Sequence, residues 1–388
     1  MRDTKKHFPV NWIDGMKINK THFIATDQAA QSALCDATAL FLTPIRYGVI
    51  PSSVAGEDTF NVKITLDNQN TLRVNVISCQ AITQGGVRIM LPALSATGSP
   101  QETDMPSTTY QFAANGGEAA WWVVLVANPF ERQPAGSPDL EENPPRFPFA
   151  LPTYTLQVVS DSQFRQFEHH PYTLTIGKVG VNGNEVRVDE EYLPPCFTIN
   201  AHPDLLSLLG EIDQFLGKLE TRCLLIIQKI YKKNQQNDIS ELVQFLCDRI
   251  MLYLGQAITN LRWLMVHEQP AHLFASMATL ARVLKNTIDL RAGSGKEEML
   301  NYLSEWCDLK QGELESMLSN MATLKFNHYD MNTNISKVVY FVKITDKLFD
   351  SLSKLEFIGK RKESGIFVKE EINNPNDQQA KTRRRFFG

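Results

Sequence analysis

At 388 residues with 43% apolar side chains, the chain is long enough for two or three domains with proper cores, and it is neither membrane-bound nor disordered as a whole. A formal charge of -4, from 39 basic and 43 acidic residues, excludes the broadly basic surface that a nucleic-acid partner demands. The start Met1 to Pro9 has no apolar h-region, and no stretch approaches the roughly 18 apolar residues of a bilayer span, so the expected place is the cytosol, without direct membrane insertion.

From about residue 40 to 198 the signal is β. Phe60, Val62, Ile64 and Leu66 alternate with polar residues, 67–70 make a turn, and Leu72, Val74 and Val76 alternate again, which predicts a hairpin with one buried face. Further strands are predicted at 120–127, 153–159, 171–178 and 184–189, the last two joined by a turn at 180–184. Two stretches interrupt the sheet: 95–109, and 128–152, whose prolines (129, 134, 138, 144, 145, 148 and 152) predict a long surface loop or arm.

At Tyr192-Leu193-Pro194-Pro195-Cys196 the period changes. Leu205, Leu209, Ile212, Leu216, Leu219, Cys223, Ile226 and Ile230 then step by four and three, the repeat of a coiled-coil seam. Leu206, Leu208, Phe215, Leu224 and Ile227 widen that stripe, which also suits the core face of a bundle within one subunit. Helices are predicted over 203–233, from Asp238 with a capping box to Glu241, from Pro270 to near Gly293, and over 296–307, 311–324 and 334–355. A brief strand at 365–368 and a polar tail from Asn373 follow.

Strings that suggest chemistry fail their geometric tests. His267 and His272 are five apart with Pro270 between them, whereas a zinc-protease helix needs them at i and i+4. Gly293-Ser294-Gly295-Lys296 is followed by Glu297 and preceded by no strand, so a helix stop replaces the phosphate loop. Asp330, Asn332 and Asn334 open like a calcium loop, but Ile335 and Phe341 stand where glycine and a bidentate glutamate belong; capping of the last helix is expected instead. His169 and His170 are adjacent and would point to opposite faces of a strand. Neither an enzyme nor a cofactor nor a metal is expected, and the six scattered cysteines read as thiols.

Val10-x-Trp12-x-Asp14-Gly15-Met16-x-Ile18-x-x-x-His22-Phe23-x-x-x-Asp27 resembles the opening signature of the TssK family, the trimeric baseplate subunits of bacterial type VI secretion systems. Tyr192 to Cys196, the run Pro270, Leu273, Phe274, Leu280-Ala281 and Leu284, and His328-Tyr329-Asp330 resemble three further family elements in the right order, so the similarity covers about residues 10–355. Gln269, Arg282 and Asn286 stand where the family often has His, Gly and Thr, and Lys20-Thr21 replaces Pro-Gln, which suggests a distant branch.

The resemblance implies an α+β multidomain protein: a β-sandwich shoulder over 1–200, like phage receptor-binding proteins, then a helical-bundle neck over 201–356. Residues 357–388 would hold a short strand and a basic tail in place of a full head. It implies a homotrimeric adaptor joining the TssF and TssG wedge proteins to a membrane-complex component of unknown identity, at the baseplate docked on the inner membrane. Trp12, Met16, His22 and Phe23 are then candidates for the wedge interface, and Leu205, Leu209, Ile212, Leu216, Leu219, Ile226 and Ile230 for the trimer and neck core. Arg383, Arg384, Arg385, Phe386 and Phe387 form a candidate linear motif. The alternative is a phage-tail receptor-binding or tail-fibre adaptor with the same fold.

Overall fold

The computed structural model describes residues 7–52, 58–92, 105–112, 119–167, 170–183, 185–359 and 386. It is a mixed fold with eight α-helices and nine strands among the described residues, the strands forming two antiparallel sheets. The chain divides into two compact units, Met1–His202 with Asn327–Asn332, and Pro203–Phe326 with Thr333–Gly388.

The first unit opens with helix α1 (Lys20–Ala39), which the β-rich reading of this half did not anticipate. Asn19 caps it: its side chain accepts the His22 amide while the His22 ring accepts the Asn19 amide, satisfying two of the free donors of the first turn. The first sheet is built around β3 (Thr71–Ile82), flanked by β1 (Gly48–Val49) and β2 (Phe60–Leu66) and also paired with β4 (Arg88–Leu91) and β5 (Ser107–Gln111). The predicted hairpin is β2 and β3, in the register Leu66↔Leu72 to Phe60↔Cys79. Its pairing shifts at Asn61/Val62, so Leu72, Val74 and Val76 and then Cys79 and Ala81 all reach the same core despite their change of parity.

The second sheet runs β7 (Phe149–Ser160), β6 (Ala120–Ala135), β8 (Thr173–Asn182), β9 (Glu185–Val188). Its central strand β6 carries the continuous apolar run 120–126 because both faces are covered. Val123, Leu125 and Ala127 join the first sheet's Leu72, Val74 and Ile89 in one core, while Trp122 and Val124 pack on Phe164 of the short helix α2 (Asp161–Phe167), which has no signal in the sequence pattern.

The proline-rich stretch departs from the expected loop. Strands β6 and β7 continue into it, with Arg132↔Pro152 and Pro134↔Ala150 in register after a shift at Asn128/Arg132, so only 136–148 form the connection. Beyond Val126 strand β6 has no β8 partner, and a proline in that two-stranded extension leaves no ladder donor missing on the second side. Residues 107–109, expected in a loop, belong to β5, and the other turn is shorter than expected: Asn182 pairs Glu185 around Gly183 at φ 62, while Gly180 lies within β8.

The second unit contains α3 (Pro203–Lys232), α4 (Asp238–Trp263), α5 (Pro270–Asp289), α6 (Lys296–Cys307), α7 (Gln311–Ala322) and α8 (Met331–Lys354). The capping box of α4 is one residue earlier than expected: Asn237 and Ser240, not Asp238 and Glu241, bond reciprocally. Pro270 occupies the first turn of α5 as expected, where its missing N–H costs nothing. Arg222 of α3 holds α8 through Asp346 at 2.6 Å and Asp350 at 2.9 Å. The strand expected at 365–368 lies outside the described residues.

Candidate docking surface

The motifs that suggested chemistry resolve into structural contacts. Gly295 stands at φ 93 before α6, and Lys296 binds Asp289 and Glu315, each at 2.8 Å, which raises its pKa. His272 pairs with Glu268 at 3.0 Å, and its other ring nitrogen meets Gln269. His170 takes the Tyr172 amide on its Nδ1, while His169 lies outside the described residues. Among the described residues no group of three His, Cys, Asp or Glu side chains is arranged to hold a metal, and no helix is long and apolar enough to cross a membrane.

Two sequence motifs meet instead inside the first unit. Val49 donates to the Pro195 carbonyl at 2.7 Å and accepts from Phe197 at 2.8 Å, so Cys196 forms an isolated parallel bridge with Val49 of β1. Gly48, at φ 114, is required there, because a Cβ would collide with the Pro195 carbonyl. Segment 327–332 closes over the same region. His328 bonds the Tyr47 carbonyl at 2.8 Å, Tyr192 donates to the Tyr329 carbonyl at 2.8 Å, and Tyr329 packs edge-on to Trp122 and Phe164. Lys178 pairs with Asp330 at 2.7 Å while lying over the Trp122 ring. Asn332 donates to the Glu191 carbonyl and Asn334 to the Lys325 carbonyl, so both side chains tie to backbone outside α8.

Among the described residues, the N-terminal arm and α1 have little intrachain cover. Of the twenty residues of α1 only Ala29 and Cys35 are buried, and Trp12 (48% exposed), Ile13, Ile18, Phe23 (60%), Ile24 and Leu34 face solvent. Trp12 stands near His22 and Phe23, with ring centroids 6.0 and 6.4 Å away, so the four expected interface residues split in role. His22 is engaged in the helix cap and Met16 is half-buried, while Trp12 and Phe23 offer surface. Asp27 and Gln28 fasten α1 to the β6 extension at Arg132 and the Phe130 carbonyl. Beside them, Lys20, Arg132, Pro144, Arg146, Phe147 and Phe149 line an open groove of about 860 Å³.

In the second unit the α3 seam is turned inward. Leu205, Ile212, Leu216, Leu219, Ile226 and Ile230 are buried within their own chain and Leu209 is half-buried. The exposed apolar residues are others: Leu206, Leu224 (44% exposed) and Tyr231 on α3, and Leu252 and Trp263 on α4. Of the tail, Arg383, Arg384, Arg385 and Phe387 lie outside the described residues, and the Phe386 amide donates to the Glu211 carboxylate of α3.

Three comparisons set this fold beside known proteins. Residues 139–288 match the family model T6SS_VasE, described as "Bacterial Type VI secretion, VC_A0110, EvfL, ImpJ, VasE". No curated protein matches the chain. Among solved structures, the baseplate complex from the type VI secretion system shares the fold with a TM-score of 0.50 at 15% identity, over 89% of this chain and 100% of that one. A TssK-TssF-TssG baseplate subcomplex aligns with a TM-score of 0.47 at 15% identity over 89% and 99%, and a crystal structure of TssK with 0.48 at 14% over 88% and 69%. The resemblance to type VI secretion baseplate proteins of the TssK kind, drawn from the motifs at 10–27, 192–196, 262–287 and 328–330, is thus joined by a family match and a shared fold.

Proposed function

We propose that the chain is a non-enzymatic baseplate subunit of a bacterial type VI secretion system. It acts as a homotrimeric adaptor between the TssF and TssG wedge proteins and a membrane-side component, on the cytoplasmic face of the inner membrane. In this scheme the two sheets form the β-sandwich shoulder and α3 to α8 the bundle of the neck. The observation that carries the proposal is the exposure of Trp12, Ile13, Ile18 and Phe23 on an arm and helix that bury almost nothing of their own. Large side chains left in water on one contiguous segment call for a partner, and burying each contributes about 1.5–3 kcal/mol. The family match over 139–288 supports secretion as the setting.

Co-expression with TssF and TssG tests the assignment. The wild-type chain is expected to co-purify with both, and Trp12→Ala combined with Phe23→Ala to weaken capture by more than tenfold, as the loss of about 2 kcal/mol at an interface anchor requires. Equal capture by wild type and variant would remove the arm from the interface, and no capture by either would remove the baseplate reading itself.

A further inference from the structure

The second unit carries a pocket with two exposed lysines on its rim. Between the end of α7 and the outward side of α8 lies an open pocket of about 510 Å³. Its floor is apolar, from Met317 and Met321, which are buried, and its rim carries Asn320, Lys325, Lys337 and Tyr340, all exposed. Among the described residues neither lysine side chain has an ion pair or hydrogen bond, whereas Lys296, Lys347 and Lys354 of the same unit each have a carboxylate.

The negative end of α7 does not account for these two cations. Three of its last four carbonyls already have donors: Arg282 bonds the Ala322 oxygen at 2.7 Å, the Thr323 amide that of Ser319 at 3.0 Å, and the Leu324 amide that of Met321 at 3.2 Å. Two ammonium groups and a phenol therefore stand around a thioether floor, and among the described residues no carboxylate pairs with either lysine.

We infer that this pocket docks an acidic, apolar peptide segment of a partner protein. An aliphatic or aromatic side chain of the peptide lies over Met317 and Met321, soft surfaces that adapt to irregular shapes, and its carboxylates meet Lys325 and Lys337. Asn320 and the Tyr340 hydroxyl serve the peptide backbone. The volume falls within the range of sites that hold a few side chains, and the open rim lets a chain enter and leave. A lipid surface fits less well, because two lysines are a weak anchor on an anionic bilayer and the chain as a whole is acidic at -4. This inference is independent of the baseplate proposal.

The test is fluorescence anisotropy of the full chain with a labelled peptide in which glutamates alternate with leucine and phenylalanine. Saturable binding is expected, weakening with added salt, and falling about tenfold or more in a Lys325→Glu, Lys337→Glu double variant. The same peptide with lysine for glutamate is expected not to bind. A Lys325→Gln, Lys337→Gln pair, with melting curves matched to wild type, removes charge without repulsion and guards against a folding defect. Tyr340→Ala is expected to weaken binding without changing its salt dependence. Equal affinity of wild type and the double variants, no saturation at millimolar peptide, or preference for phosphatidylserine vesicles over the peptide would each overturn the inference.

Discussion

Burial holds His328 neutral. The ring is fully enclosed against Tyr47, and loss of hydration drives its pKa from the ordinary 6.5 down to about 4, only partly offset by its bond to the Tyr47 carbonyl. Between those two values the unfolded chain binds a proton that the folded one refuses, so stability falls as the pH drops from 6.5 toward 4. The loss reaches roughly 3 kcal/mol at the low end, taking 1.36 kcal/mol for each pKa unit. Chemical denaturation at a series of pH values is expected to reveal that slope in the first unit. His328→Gln, which keeps a polar side chain at the Tyr47 carbonyl but does not titrate in this window, is expected to flatten it.

Helix α3 illustrates why a seam in sequence is not yet an interface. Its apolar stripe is wide, and the half that keeps the coiled-coil spacing packs inside the chain: Ile212 and Leu219 are 0% exposed. An Ile212→Asp substitution therefore places a carboxylate where nothing in the unit pairs with it, at a cost of several kcal/mol. Circular dichroism is expected to show loss of helix signal or a melting transition far below that of wild type, whatever the oligomeric state. Retention of a native melt would mean that α3 does not pack as described.

Self-association of the whole molecule is part of the proposed function, and the exposed apolar residues of α3 and α4 are the surface of the second unit on which it is tested. Leu224 is 44% exposed and Leu252 and Trp263 are 74% and 76% exposed, so charge at Leu224 disturbs little within one chain. Light scattering is expected to give about three times 43.9 kDa for wild type and a smaller species for Leu224→Asp, with an unchanged melting profile in dilute solution. A wild-type monomer would defeat the trimer, and a Leu224→Asp variant that still assembles would move the contact to another face.

Much of the molecule is legible in its sequence. The 2.0-residue period at 60–76 and the change to a helical period after Cys196 are local consequences of which face each side chain points to, and they locate the hairpin and the helices of the second unit to within a few residues. The motifs that resemble the TssK family are visible in the sequence too, but not their contacts. That His328-Tyr329-Asp330 closes on Tyr47, Trp122 and Lys178 follows from contacts between residues more than a hundred positions apart, which no window of sequence contains. Helix α1 leaves only a faint amphipathic signal in the sequence, because it buries only two small residues. The proline-rich arm misled because proline forbids a ladder donor only where a neighbour needs it, and which strand edge is open is decided by the sheet as a whole. Likewise the sequence by itself determined that α3 would be apolar on one side, since that is a property of spacing; which of its residues face their own core and which face solvent was decided only when α4 and α8 packed against it.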